Sequence, residues 1–259
     1  MSLGYGWLLR GVFGVLAVAS IILETHADHA GNGQLVFLVG TAGMVVGASV
    51  ATLVSVLRRN AGVARKRELR ARRVARVAAM VGGGDAESKG VDVGREFPPS
   101  LDLIAPVFGM FALLGAATFT GGSWWLSAVR LLVGAAFLGA ILDAMLLGHW
   151  YLTQPGLSRE LLRELVCASA IIWPLEVTVL IVPLGMLSVL SGTVDDGYNG
   201  LLGWMWVVCA LGTTALLGAT WLALRERAYS AVMAATGLLY LAVLTAFGTD
   251  LLARALLTP

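Results

Sequence analysis

Charge is scarce in this chain. Asp, Glu, Lys and Arg make up 13 % of 259 residues, about half the usual share in a soluble globular domain. Cysteines number two and histidines three, and the only lysines are Lys66 and Lys89. Each shortage excludes something. Cys167 and Cys209 form neither a CxxC pair nor a zinc pattern and read as small buried hydrophobes. His149 stands on the side opposite to His26 and His29, so a bis-histidine haem of the chain's own is not expected. Both lysines fall outside the apolar runs, which excludes a Schiff-base pigment. No phosphate-binding loop, HExxH or GxSxG motif occurs, and Asp195-Asp196 is too short to be a paired acidic motif for magnesium diphosphate. The chain is therefore not expected to be catalytic by itself.

What the chain has is apolar sequence: 58 % of residues, with a mean hydropathy of +0.83. Lipid offers no water to the backbone, so a spanning chain must be helix or closed barrel. Barrel strands alternate polar and apolar residues in segments of about ten. Here the apolar runs are of the length a helix needs, roughly 20 residues. Seven can be traced: 7–23, 35–57, 101–120, 124–150, 161–190, 201–224 and 229–252. These predict an all-α, polytopic bundle of seven transmembrane helices. The flexible, Gly-rich stretch Gly82–Pro99 divides it into a helix hairpin (1–58), a basic loop and linker (59–100) and a five-helix bundle (101–259). Residues 11–23 also resemble a signal-peptide core ahead of Thr25-His26-Ala27, an alternative to a retained first helix.

The basic residues are concentrated. Nine of eighteen lie between Arg58 and Arg76. Placing that loop in the cytoplasm puts sixteen of the eighteen on one side, with Arg254 outside and Arg130 within the fourth span. The expectation is an inner-membrane (plasma-membrane) protein, N-terminus in and C-terminus out. Arg65, Lys66, Arg67, Arg70, Arg72 and Arg73, interleaved with Val63, Leu69, Val74 and Val77, suit a helix lying on anionic lipid or docking an acidic protein subunit. No aromatic platform accompanies them, so nucleic acid is not an expected partner.

Inside the spans, Glu176 stands out, near the middle of the fifth run in Trp173-Pro174-Leu175-Glu176. A carboxylate at that depth is expensive and faces protein or water. Ser169, Trp173, Glu176 and Pro183 share one helix face, and Pro174 and Pro183 offer breaks. Arg130 either snorkels outward or meets Glu176. Asp143 shares a stripe with Leu132, Ala136 and Gly139, small enough for close helix packing. Gly43 and Gly47 form a GxxxG pair in the second span. At the cytoplasmic end of the fourth span, His149, Trp150 and Tyr151, with Arg159 and Arg163, suggest a pocket for a quinone or lipid head group. Glu24-Thr25-His26-Ala27-Asp28-His29 carries metal-ligand residue types but reads as a polar loop.

Three functional classes remain open on these residues. One is a membrane subunit of a larger, respiratory or electron-transfer complex, with a quinone or lipid pocket near His149. Another is a proton-coupled small-molecule transporter centred on Glu176. The third is an intramembrane lipid-modifying enzyme using Asp143 and Glu176, which requires the two carboxyls to share a cavity.

Overall fold

A computed structural model describes residues 3–27, 31–58, 97–120, 122–153, 159–182, 185–226 and 228–257. Among these the chain is helical without strands, and seven helices are long and apolar enough to cross a membrane. The protein is a multi-pass helical membrane protein. The six basic-loop residues Arg65, Lys66, Arg67, Arg70, Arg72 and Arg73 lie outside the described residues, as do Asp28, His29 and Pro183.

The chain forms two compact units, Met1–Gly115 and Ala116–Pro259. The first holds α1 (Leu3–Thr25), α2 (Asn32–Leu57), a 3-10 turn (Pro99–Leu103) and α3 (Ile104–Ala116). The third span thus belongs with the first two, whereas the division at residue 101 grouped it with the later helices. The reason is glycine. A side chain at Gly40 would strike the Ala112 backbone, one at Gly43 the Phe108 ring, one at Gly47 Ile104, and one at Gly115 the Phe37 backbone. Small residues let α2 and α3 approach to backbone contact, which is how helices adhere where lipid removes the hydrophobic drive. The Gly43/Gly47 pair is part of this seam. Trp7 Nε1 donates to Ser55 Oγ at 3.0 Å, and Arg10 makes a two-pronged ion pair with Asp102, Nε to Oδ1 at 2.8 Å and Nη2 to Oδ2 at 2.9 Å.

The second unit holds α4 (Trp124–Thr153), α5 (Glu160–Ile181), short α6 (Gly185–Leu190), α7 (Leu201–Ala223) and α8 (Tyr229–Leu257). Its core is built from Phe137, Ile141, Leu162, Val166, Trp173, Leu217 and Leu239. Phe137 and Trp173 stack with ring centroids 4.8 Å apart, and Gly148 sits against the Thr236 hydroxyl.

Three sequence expectations change here. The fifth run is two helices, because the chain leaves α5 at Val182, extended at φ −86°, ψ 143°. That is the conformation that the residue before a proline favours, and Pro183 follows. Glu176 consequently stands five residues from the end of α5, roughly 7.5 Å by the helical rise, and not at mid-span. The last span runs to Leu257, so Arg254 is a helix residue and not an outer tail charge. The Ala136–Gly139 stripe is exposed, and nothing lies within 4 Å of a side chain built at Gly139. The packed face of α4 is instead Gly134, Phe137, Ile141, Ala144 and Gly148.

Candidate functional site

Three helices of the second unit converge near the end of α5. From α5 comes Glu176, 1 % exposed, on the buried face with Ser169, Trp173 and Leu180. Pro174 lies within the helix one turn before it, and Thr178 Oγ1 donates back to the Pro174 carbonyl at 2.7 Å. From α8 come Asp250 and Arg254, one turn apart, with Arg254 Nε donating to Asp250 Oδ2 at 2.7 Å. Acid before base at this spacing also suits the helix dipole.

From α4 comes Gly134, whose missing side chain makes the room. A Cβ there would lie 2.8 Å from Arg254 Nη2, 3.1 Å from Asp250 Oδ1 and 3.3 Å from Glu176 Oε1. Two carboxyls and one guanidinium therefore lie within 3.3 Å of a single point. Among the described residues, neither oxygen of Glu176 has a hydrogen-bond donor, and neither does Asp250 Oδ1. One arginine balances one carboxylate. The other buried carboxyl is accommodated by holding a proton, or by facing a cation or donor, because an uncompensated buried charge costs several kcal/mol.

Arg130, one turn before Gly134 on α4, has a different partner from the one its sequence position suggests. It neither snorkels free nor bonds Glu176. Its Nε donates to the Val179 carbonyl at 2.8 Å and its Nη2 to the Val182 carbonyl at 2.9 Å. These carbonyls are left without intrahelical partners by the break after Ile181. A cation at a helix C-terminus also complements the dipole. Gly185 lets α6 start close against Arg130 and Leu180.

Both arginines line a cavity of about 210 Å³. Its walls include Thr120, Ser123, Ser127, Leu180 and Ala253. A second cavity, about 510 Å³, lies between α5 and α7 beside Cys167, Pro174 and Trp221. It carries no charged side chain, and its Thr214 hydroxyl accepts from Trp173 Nε1 at 2.9 Å.

No family model, curated protein or solved structure matches the chain.

The other sequence candidates fall elsewhere. Asp143 lies nine residues beyond Gly134, half a turn around α4, and does not face Glu176. His149 pairs through Nδ1 with the Tyr240 hydroxyl at 3.1 Å. Tyr151 is buried in the core, Arg159 donates to the Glu226 carbonyl at 3.1 Å, and Arg163 is exposed. Trp150 is half-buried. None of these five residues lines either of the two cavities above. His26 Nδ1 contacts the Ile22 carbonyl at 2.7 Å, and no cluster of three metal-ligating residues occurs among the described residues.

Asp250 and Arg254 are the site residues that sequence reasoning passes over. Their signal is an acid and a base four residues apart inside an apolar run, hidden when that run is ended at Leu252. Asp196 is a second. Its carboxylate accepts from the backbone N–H groups of Tyr198, Gly200, Leu202 and Gly203, tying the loop to the start of α7. Burial pushes this carboxyl up, and the four donors together outweigh it and hold the group below the usual aspartate range.

Proposed function

We propose that the chain is a proton-coupled carrier of a small molecule, with Glu176 and Asp250 as a proton-holding pair and Arg254 as their internal counter-ion. The observation that carries this reading is the convergence of three ionisable groups at Gly134, next to a cavity, with both Glu176 oxygens unbonded. Ionisable residues within membrane spans mark substrate or proton pathways. Discontinuous helices with exposed backbone ends are a recurrent setting for transporter sites, and the α5–α6 break lies beside this one.

The pair works as a charge switch. With one proton shared between the two carboxyls, the cluster is neutral and tolerated away from water. Losing that proton leaves a net negative charge, and gaining another leaves a net positive one. Protonation thereby selects which conformations are affordable in lipid. The electron-transfer-subunit reading rests on His149 and its neighbours, which line neither of the two cavities described above. The lipid-enzyme reading rests on Asp143 sharing a cavity with Glu176.

The test uses the full chain in proteoliposomes with a pH-sensitive dye inside. Lactate, succinate, inorganic phosphate, glycine, glucose and choline are added outside in turn. At least one should acidify the lumen with wild type, and Glu176→Gln should abolish the response while inserting normally. Silence to every solute, or an undiminished response in Glu176→Gln, would sink the reading.

A further inference from the structure

Arg254 occupies two places at once. Its Nε is bonded to Asp250, and its side chain, one third exposed, lines the 210 Å³ cavity. Arg130 lines the same cavity while its Nε and Nη2 hold the carbonyls that end α5. The neighbouring polar groups are neutral hydroxyls, Thr120, Ser123 and Ser127, and no acidic side chain is among the lining residues. Lys/Arg counting isolates the same two residues: of eighteen basic side chains, only Arg130 and Arg254 fall off the side assigned to the cytoplasm. At about 30 Å³ per water the space equals roughly seven waters. It is smaller than the 300–1,000 Å³ or so of pockets for drug-sized ligands.

We propose that this cavity binds a small soluble oxyanion, a carboxylate or phosphate, and that the anion replaces Asp250 as the partner of Arg254. The inference rests on the carrier reading and supplies its substrate class. A guanidinium fork matches carboxylate and phosphate oxygens equally well, so an anion entering the cavity competes directly with the Asp250 carboxylate. Once Arg254 turns to the anion, Asp250 and Glu176 face each other across Gly134 without a counter-ion. Two like charges at that separation do not both persist in a buried site. One proton from water adds to the pair and leaves both carboxyls neutral.

For a monovalent anion the charges balance. Before binding, Arg254 offsets the one ionised carboxylate. Afterwards it offsets the anion, and the site has gained one anion and one proton. The ionisable group facing the pair is Arg254 from α8; Arg130 from α4 lines the cavity but is engaged by the Val179 and Val182 carbonyls. The α6 helix presents none, and α7 presents only Cys209, beside Gly248. Anion entry and proton uptake are then one event.

Calorimetric titration of the full-length purified protein tests this at pH 7, with lactate, succinate and inorganic phosphate as probes. Running each titration in HEPES and in Tris separates the heat of proton transfer from that of binding. At least one probe should bind wild type with close to one proton taken up per anion. Arg254→Gln should weaken that binding at least tenfold, with Arg254→Lys intermediate. The double variant Glu176→Gln/Asp250→Asn should bind at least as tightly as wild type with no linked proton, a readout that misfolding does not mimic. Repeating the titration in nanodiscs of phosphatidylglycerol and of phosphatidylcholine separates a soluble anion from a lipid head group. Equal binding in the two supports the soluble source, and loss in phosphatidylglycerol overturns it.

Binding of none of the probes, binding unaffected by Arg254→Gln, or binding without proton uptake would each overturn the proposal. The two readings fail separately. Glu176-dependent acidification driven only by glycine, glucose or choline leaves the carrier and removes the anion. Anion binding with proton uptake but no transport in vesicles leaves the anion and removes the carrier.

Discussion

At the scale of single residues, the site depends on what Gly134 omits. A side chain there would enter the space where Arg254, Asp250 and Glu176 meet. Overpacking of this kind costs roughly 1–3 kcal/mol. Gly134→Val is expected to lose proton-linked transport while still inserting, which vesicle assays on the purified variant check. Arg130 carries a separable burden. Arg130→Gln removes the donors of two carbonyl bonds, and hydrogen bonds to charged groups contribute about 1.5–3 kcal/mol each. Its thermal unfolding midpoint in detergent should fall clearly, and an unchanged midpoint would contradict the capping role. The sequence exposes Glu176 as an anomaly by itself, since a lone carboxylate in an apolar run needs no partner to be noticed. Its partners were not legible. Asp250 lies 74 positions away and Arg130's carbonyls about 50, and helical periodicity carries no information at such separations.

At the scale of elements, glycines and prolines decide which helices associate. The α2–α3 seam brings Gly40 against the Ala112 backbone and Gly115 against the Phe37 backbone, neither of which moves aside as a side-chain tip does. Gly40→Leu should therefore separate these helices, and an engineered cysteine pair across the seam, such as Thr41→Cys with Ala112→Cys, should cross-link in wild-type background but not in Gly40→Leu. GxxxG spacing revealed half of this seam; the identity of the facing helix came only with the fold. The break after Ile181 was legible as Pro183, but its consequence was not, because nothing local says that an arginine from another helix takes up the freed carbonyls. Asp196 gives an element-scale pH dependence. Its folded carboxyl lies below the ordinary aspartate value, so its contribution to holding the 195–200 loop on α7 is complete above about pH 4. It fades as the pH falls through the lower folded value. Asp196→Ala should remove that acid-side loss of stability, along with part of the neutral-pH stability, in a pH series of unfolding midpoints.

At the scale of the molecule, composition and run length sufficed for an all-helical membrane protein with seven spans, because lipid leaves few alternatives. Basic-residue bias predicts the orientation. Fluorescent-protein fusion at the N-terminus and alkaline-phosphatase fusion at the C-terminus should both be active, and the exchanged fusions inactive. The structure moves Arg254 into the last helix, where it lines one cavity with Arg130 of the fourth span. Proton-coupled transport requires the Glu176 carboxyl to carry a proton in step with a solute. The most direct measurement is lumenal pH in proteoliposomes of wild type and Glu176→Gln, exposed to the same anion. Acidification by wild type that vanishes in the variant, with equal protein in the membrane, is the expected result. Equal acidification by both would contradict the account.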